Sequence, residues 1–473
     1  MPATMERGGG SMTKRWMIFA SWVALSCGGN ETSDSIGEGD FGEDGGPTSP
    51  TSTGSASADG ATSQASADGA TTNPATSAAG VDTTEGDTGP KFDLGALPDA
   101  PTGTCGGQSC GESMWSYIWI VNSGEATVSK IDTRTMVEEG RYYTRPDHSG
   151  NPSRTSVNVD GRAVAVANRS GGVTKIWARE SDCVDSNGNG TIETSSGGAG
   201  SMLPFSDDEC IAWHTPNPDA TTQRPVAWTS GVYNPDTCEF EDQFVWTAAG
   251  LGTPGATWPC DGADGIFVYL LDGDTGAIVE EIHMPDVTCG TTLGPYGGAV
   301  DSNNDLWVYI WSAGTILHVD YDTLAYDTIS GGSYGITVDT NGRVWVDSGS
   351  RYDPVSGSWD QKIGNLPGSG GSGVAEDLAG RIWTATVGGV GWIDMETMVV
   401  GDTVMLPEGG LYRGIAVDYD GYIWAVLLGG TTAHRIDPVT YAVDTFTGLN
   451  NPYTYSDMAG GQLSNVVCNP PAG

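Results

Sequence analysis

The sequence predicts an all-β protein folded as a β-propeller of about seven four-stranded blades, behind a disordered N-terminal tether. Three observations predict it. A short phrase returns four times: Gly298-Ala299-Val300-Asp301 before Trp307, Gly335-Ile336-Thr337-Val338-Asp339 before Trp345, Gly373-Val374-Ala375-Glu376-Asp377 before Trp383, and Gly414-Ile415-Ala416-Val417-Asp418 before Trp424. The Asp-to-Trp interval is six residues each time, and successive Asp residues lie 38, 38 and 41 apart. Residues 28–101 are Ser, Thr, Ala, Gly and Asp with almost no large apolar side chain, so they cannot offset the entropy of ordering.

From the N-terminus, Lys14 and Arg15 precede the apolar run Trp16–Leu25, which is too short to cross a membrane as a helix. Residues 1–26 read as a secretion signal, with Met12 as an alternative start. Residues 27–103 form the tether, whose rms reach is about 45–50 Å. Residues 104–473 form the propeller, with a cysteine-flanked insertion near 180–220.

Each repeat reads as one blade. The small and β-branched Gly-to-Asp run suits an inner strand on a crowded channel wall. The following Asp-x-x-Gly turn lets the carboxylate cap backbone N–H groups. Arg343-Val344-Trp345-Val346 illustrates the second strand, Ile316–Asp320 the third and Ala442–Phe446 the fourth. Weaker copies precede these: Tyr117–Val121 with Val128–Asp132, then Ser156–Asp160, then Pro225–Trp228 with Phe244–Trp246 and Gly265–Tyr269. The first lacks an innermost strand, and the tail around Gly461–Val467 is expected to supply it and close the ring.

The net charge of −40 argues against nucleic acid and against adhesion to anionic lipid. Setting Cys27 aside leaves eight cysteines, an even number that suggests disulfides in an exported chain. Cys183–Cys210 and Cys238–Cys260 are the preferred pairs, and Cys105, Cys110, Cys289 and Cys468 stay unassigned.

Asp185, Asn187, Asn189, Thr191 and Glu193 stand at alternate positions around Gly190, the first half of a calcium loop. Ser196 occupies the twelfth position, so the missing carboxylate is expected from Asp207, Asp208 or Glu209. The other reading is a plain Asn/Gly turn. Tyr296, Tyr334, Tyr412, Arg413, Arg154 and Arg224 fall near the starts of inner strands, where propellers present side chains to the channel mouth. Either they form a platform for an anionic or sugar-like ligand, or the tyrosines stack between blades and each Arg pairs with an Asp. Trp307, Trp345, Trp383 and Trp424 read as core between blades.

Ala24-Leu25-Ser26-Cys27 resembles a bacterial lipobox. The resemblance implies acylation of Cys27 and anchoring through lipid alone; with Gly28 next, it implies an outer-membrane lipoprotein of the cell envelope. The competing reading is an ordinary signal with a chance cysteine. The repeats resemble streptogramin (virginiamycin B) lyases and, more loosely, NHL-type and gluconolactonase-related propellers, well over residues 295–447 and weakly over 115–290. That resemblance implies Glu side chains on a divalent metal, three residues after each Trp, with a His as base. Here those positions hold Ile310, Ser348, Thr386 and Leu427, and His148, His214, His283, His318 and His434 follow no such Glu. His318 and His434 read as packing or surface residues. The expectation is a monomeric envelope module that binds a protein or small ligand, with no catalytic residues identified and structural calcium as its one candidate cofactor. The alternative is a metal-dependent lyase or lactonase with a non-standard site.

Overall fold

A computed structural model describes residues 115–468, apart from 235, 238, 253–259, 261–264, 290–292, 312 and 369–370. Cys27, Cys105, Cys110, Cys238, the signal and the tether lie outside the described residues.

Among the described residues the strands form seven antiparallel blades, six with four strands and the first with three, and a separate hairpin of Val232–Asn234 and Glu239–Glu241. In blades two to seven the inner strands are Pro152–Val157, Thr222–Trp228, Pro295–Val300, Ile336–Val338, Val374–Glu376 and Tyr412–Val417, while the three strands of the first blade begin with Tyr117–Asn122, whose free edge faces the C-terminal segment. Each pairs in sequence order with the next strands outward. Blade two carries its insertion between its third and fourth strands, Val173–Trp177 and Ile211–Thr215.

The six-residue interval has a physical cause. In each good repeat the Asp Oδ1 accepts two backbone N–H groups of its own turn, as Asp339 does from Asn341 and Arg343 at 2.9 Å each. Its Oδ2 accepts the indole Nε1–H of the Trp on the next strand, at 3.0, 2.7, 2.8 and 2.8 Å from Trp307 to Trp424. The Trp rings are buried among neighbouring blades, so the bond satisfies the one polar atom they bring inside.

The tail departs from expectation. Gly461–Cys468 is an α-helix, not the closing strand. Leu463 and Val466 are its buried apolar side chains, a three-residue spacing that suits a helix face. The segment just upstream lies against the first blade instead. Pro452 bridges Asn122, the Trp119 amide donates to the Met458 carbonyl at 2.9 Å, and the Val157 amide donates to Asp457 at 3.2 Å. The helix then sits where inner strands end: the Gln462 side chain donates to the Val338 carbonyl and accepts the Glu376 amide, at 2.8 and 2.9 Å. Asp457 caps its start by accepting the amides of Gly460 and Leu463.

Cys183 and Cys210 are bonded and close the insertion. The expected Cys238–Cys260 pair is corrected: Cys260 is bonded to Cys289. Both of these sulfurs pack beside Gly250 in the core between blades three and four, which brings the two chain segments together. Cys468 is also disulfide-bonded.

Candidate functional site: an arginine and tyrosine cluster at one channel end

Register explains which side chains meet at the channel mouth. Arg224, Tyr296, Tyr334 and Arg413 each stand three residues before the inner-strand residue paired with the second-strand Trp. They are therefore equivalent positions on four blades. Tyr412 is one residue earlier and, by the two-residue alternation of a strand, faces the other way. Its hydroxyl points to Glu408 at 3.4 Å and its ring meets His434 edge-on, within the core between blades, so it does not join the cluster.

Arg154 lies fully buried, its guanidinium 3.2 Å from the ring centre of Tyr455 and 4.9 Å from that of Tyr296. Arg224 lies 4.8 Å from the Tyr296 ring, and Arg413 lies 5.1 Å from that of Tyr334. Three members had no signal in the repeats. Arg169 follows the second strand of blade two and lies 4.4 Å from the Tyr453 ring. Tyr453 and Tyr455 arrive from the C-terminal tail, and only their alternation around Thr454 hinted at a strand-like segment.

The hydroxyls of Tyr296, Tyr334 and Tyr453 bond mutually, Tyr296 donating to Tyr334 at 3.0 Å. Among the described residues, Arg154, Arg169 and Arg224 pair with no carboxylate. Arg154 donates only to the carbonyls of Tyr296 and Ser153, and Arg169 to Ser123 and Asn151. Nη2 of Arg154, Nε and Nη2 of Arg169, and Nε and Nη1 of Arg224 are buried without a hydrogen-bond partner. Burial, with Arg224 beside it, drives Arg169 down to about 10. Burial raises the Tyr453 hydroxyl, but Arg154, Arg224 and Arg169 outweigh it and leave it below its usual value. Chemically, this is a buried, positively charged cluster rich in unused donors.

The other candidates are arranged as follows. Asp185, Asn187, Asn189, Thr191 and Glu193 share one exposed loop, where the Asp185 carboxylate accepts the amides of Gly188, Asn189 and Gly190. Asn187, Asn189 and Thr191 donate to Glu193 at 2.7–2.9 Å and pull its carboxyl down to about 2. Of the three nominated acids, Glu209 reaches the loop, accepting the amides of Ser186 at 2.8 Å and Glu193 at 3.1 Å. Among the described residues one further group has metal-ligand character: Asp301, Asp305 and His318. Its His318 stacks on Trp307 at 4.1 Å and pairs with Asp305 and Asp327.

No protein-family model and no curated protein matches the sequence. Solved structures of similar fold include virginiamycin B lyase from Staphylococcus aureus, at 15% identity over 65% of this chain and 89% of that one, with a TM-score of 0.42. AztD from Citrobacter koseri aligns at 12% identity over 72% and 97%, with a TM-score of 0.44. Dihydro-heme d1 dehydrogenase NirN aligns at 13% over 73% and 76%, also at 0.44. The blades themselves define the class as the seven-bladed β-propeller, and function is read from this chain's own residues.

Proposed function

We propose that this propeller is a binding module whose ligand is a small anion held by Arg154, Arg169 and Arg224 beneath Tyr296, Tyr334 and Tyr453. The carrying observation is that three buried guanidiniums keep unused N–H groups and meet no carboxylate among the described residues. Arg224 and Arg154 both disfavour the charge on Arg169, so such a cluster is poor structure without an anion. An oxyanion would take several charge-assisted hydrogen bonds at once. Binding is favoured over lyase chemistry because Ile310, Ser348, Thr386 and Leu427 offer no carboxylate where the lyase pattern has Glu.

The test is titration of the protein with phosphate, sulfate and citrate by calorimetry and thermal denaturation. At a hundredfold excess over Kd the bound anion adds about 2.7 kcal/mol of stability. Arg224→Ala and Arg169→Ala should remove most of that response. A wild-type protein indifferent to all three anions refutes the proposal.

Two further parts belong to the same reading. Cys27 is lipidated, so that the module stands on the cell envelope, a monomer on its tether; the lipobox-like Ala24-Leu25-Ser26-Cys27 supports this. The loop Asp185–Glu193 holds a structural calcium ion; the grouping of its oxygen side chains and the approach of Glu209 support this.

A further inference from the structure

Beside the arginine cluster an open groove runs between blades four, five and six, lined by Tyr309, Trp311, Tyr334, Asp347, Lys362 and Leu366. Tyr334 belongs to both: its hydroxyl joins the tyrosine triad, and its ring walls the groove. Asp347 is the unexplained group. Its Oδ2 accepts the Ser372 amide at 3.2 Å, while its Oδ1 is buried with no hydrogen-bond partner. Burial raises its carboxyl against the pull of the Ser333 side chain, the Ser372 and Gly335 amides and Arg413, and none of these gives Oδ1 a hydrogen bond of normal geometry. A carboxylate oxygen left unpartnered is costly, and what fills the site must donate a hydrogen to it.

Two kinds of donor suit an acid among aromatics: an ammonium or a hydroxyl. The surrounding charge decides between them. Lys362 lies in the groove with its ammonium on the Ser348 carbonyl, and Arg413 lies 5.1 Å from the Tyr334 ring with an N–H on the Gly371 carbonyl. An ammonium would face these two cations and the three arginines beyond, with Asp347 as the single acid among the groove's described lining residues. A hydroxyl meets no such repulsion. The half-buried Trp311 stands nearly perpendicular to Tyr334 and Tyr309, at 5.4 and 6.3 Å, forming a corner suited to the C–H face of a ring.

We infer that the groove is a saccharide subsite and that the ligand is a sugar bearing an acidic group. The acid would lie on the arginines, the ring against Trp311, and a ring hydroxyl would donate to Asp347. This rests on the anion reading above, and it adds the class of molecule that carries the anion.

The experiment is calorimetric titration with glucuronate, glucose 6-phosphate, glucose and inorganic phosphate. At least one of the two acidic sugars should bind ten times more tightly than both glucose and phosphate. Trp311→Ala and Asp347→Ala should each reduce that sugar to the affinity of phosphate while leaving phosphate itself unchanged. Trp311→Phe, which keeps an aromatic face, should retain most of the difference; thermal denaturation verifies that each variant folds. If phosphate binds but neither acidic sugar binds more tightly, or if the two Ala variants change nothing, the subsite inference fails and the anion reading stands. If none of the anions binds, both fail.

Discussion

At the scale of residues, one carboxylate per blade does two jobs: it caps a turn and accepts an indole N–H. The four copies differ in a way that makes the bond measurable. Asp339 and Asp377 Oδ2 also accept an Arg Nε, at 2.8 and 2.7 Å, whereas Asp418 is followed by Tyr422 at that position. Trp424→Phe therefore removes a donor that nothing replaces, while Trp345→Phe leaves Arg343 in place. Chemical denaturation should show Trp424→Phe losing about 1–3 kcal/mol more than Trp345→Phe. Glu376 gives a pH prediction. Burial pushes its carboxyl up to about 7 although Thr340 bonds to it. An acid raised on folding contributes stability that is present below its unfolded value near 4.5 and is lost as pH rises through about 7. Glu376→Gln should thus gain on the wild type as pH climbs from 5 to 8, by up to about 3 kcal/mol. A constant difference in melting temperature across that range would contradict it. The sequence could be read to this depth only where the Asp and Trp repeat. The rim position was legible on four blades, but Tyr412 was misread because neighbouring strand residues face opposite ways and the repeat does not mark which face is which.

At the scale of elements, the insertion of blade two and the C-terminal tail are the parts outside the repeat. If the Asp185–Glu193 loop holds calcium, a chelator should lower the melting temperature of the wild type by several degrees. Asp185→Ala should be less stable and indifferent to chelator. Identical wild-type curves with and without chelator would leave a turn held by Asp185 alone. The tail was misread because Gln462-Leu463-Ser464-Asn465-Val466-Val467 is short, and short apolar runs fit either period. Tertiary context decided: the helix docks where Val338 and Glu376 present free backbone groups to Gln462. Arg169, Tyr453 and Tyr455 were invisible for the same reason, since no periodicity links a blade-two loop to a segment near the chain end.

At the scale of the whole molecule, the tether and the ring make separate predictions. Cys27→Ala should move the protein from the membrane to the soluble fraction, and mass spectrometry of the wild type should find an acylated Cys27; a soluble, unmodified wild type would refute the anchor. Deleting residues from Pro452 onward strips the first blade of its inner neighbour and should lower the melting temperature by well over ten degrees or cause aggregation. Deleting only from Gly461 should cost less, because Pro452–Met458 stays beside the first blade. The seven-blade architecture was legible from periodicity because each blade repeats one local solution, whereas ring closure joins residues with no local relation at all.

That closure also fixes an order of events during synthesis. Asn122 and Asn450, bonded across 328 residues, are among the first and last described parts of the chain to leave the ribosome. Six blades can form as they emerge, but the first stays unsealed until the final stretch has been made. The first blade is thus sealed only once residues 450–458 have been made, and a chain that stopped before Asn450 would have nearly every blade and an open flank, the kind of product quality-control proteases remove.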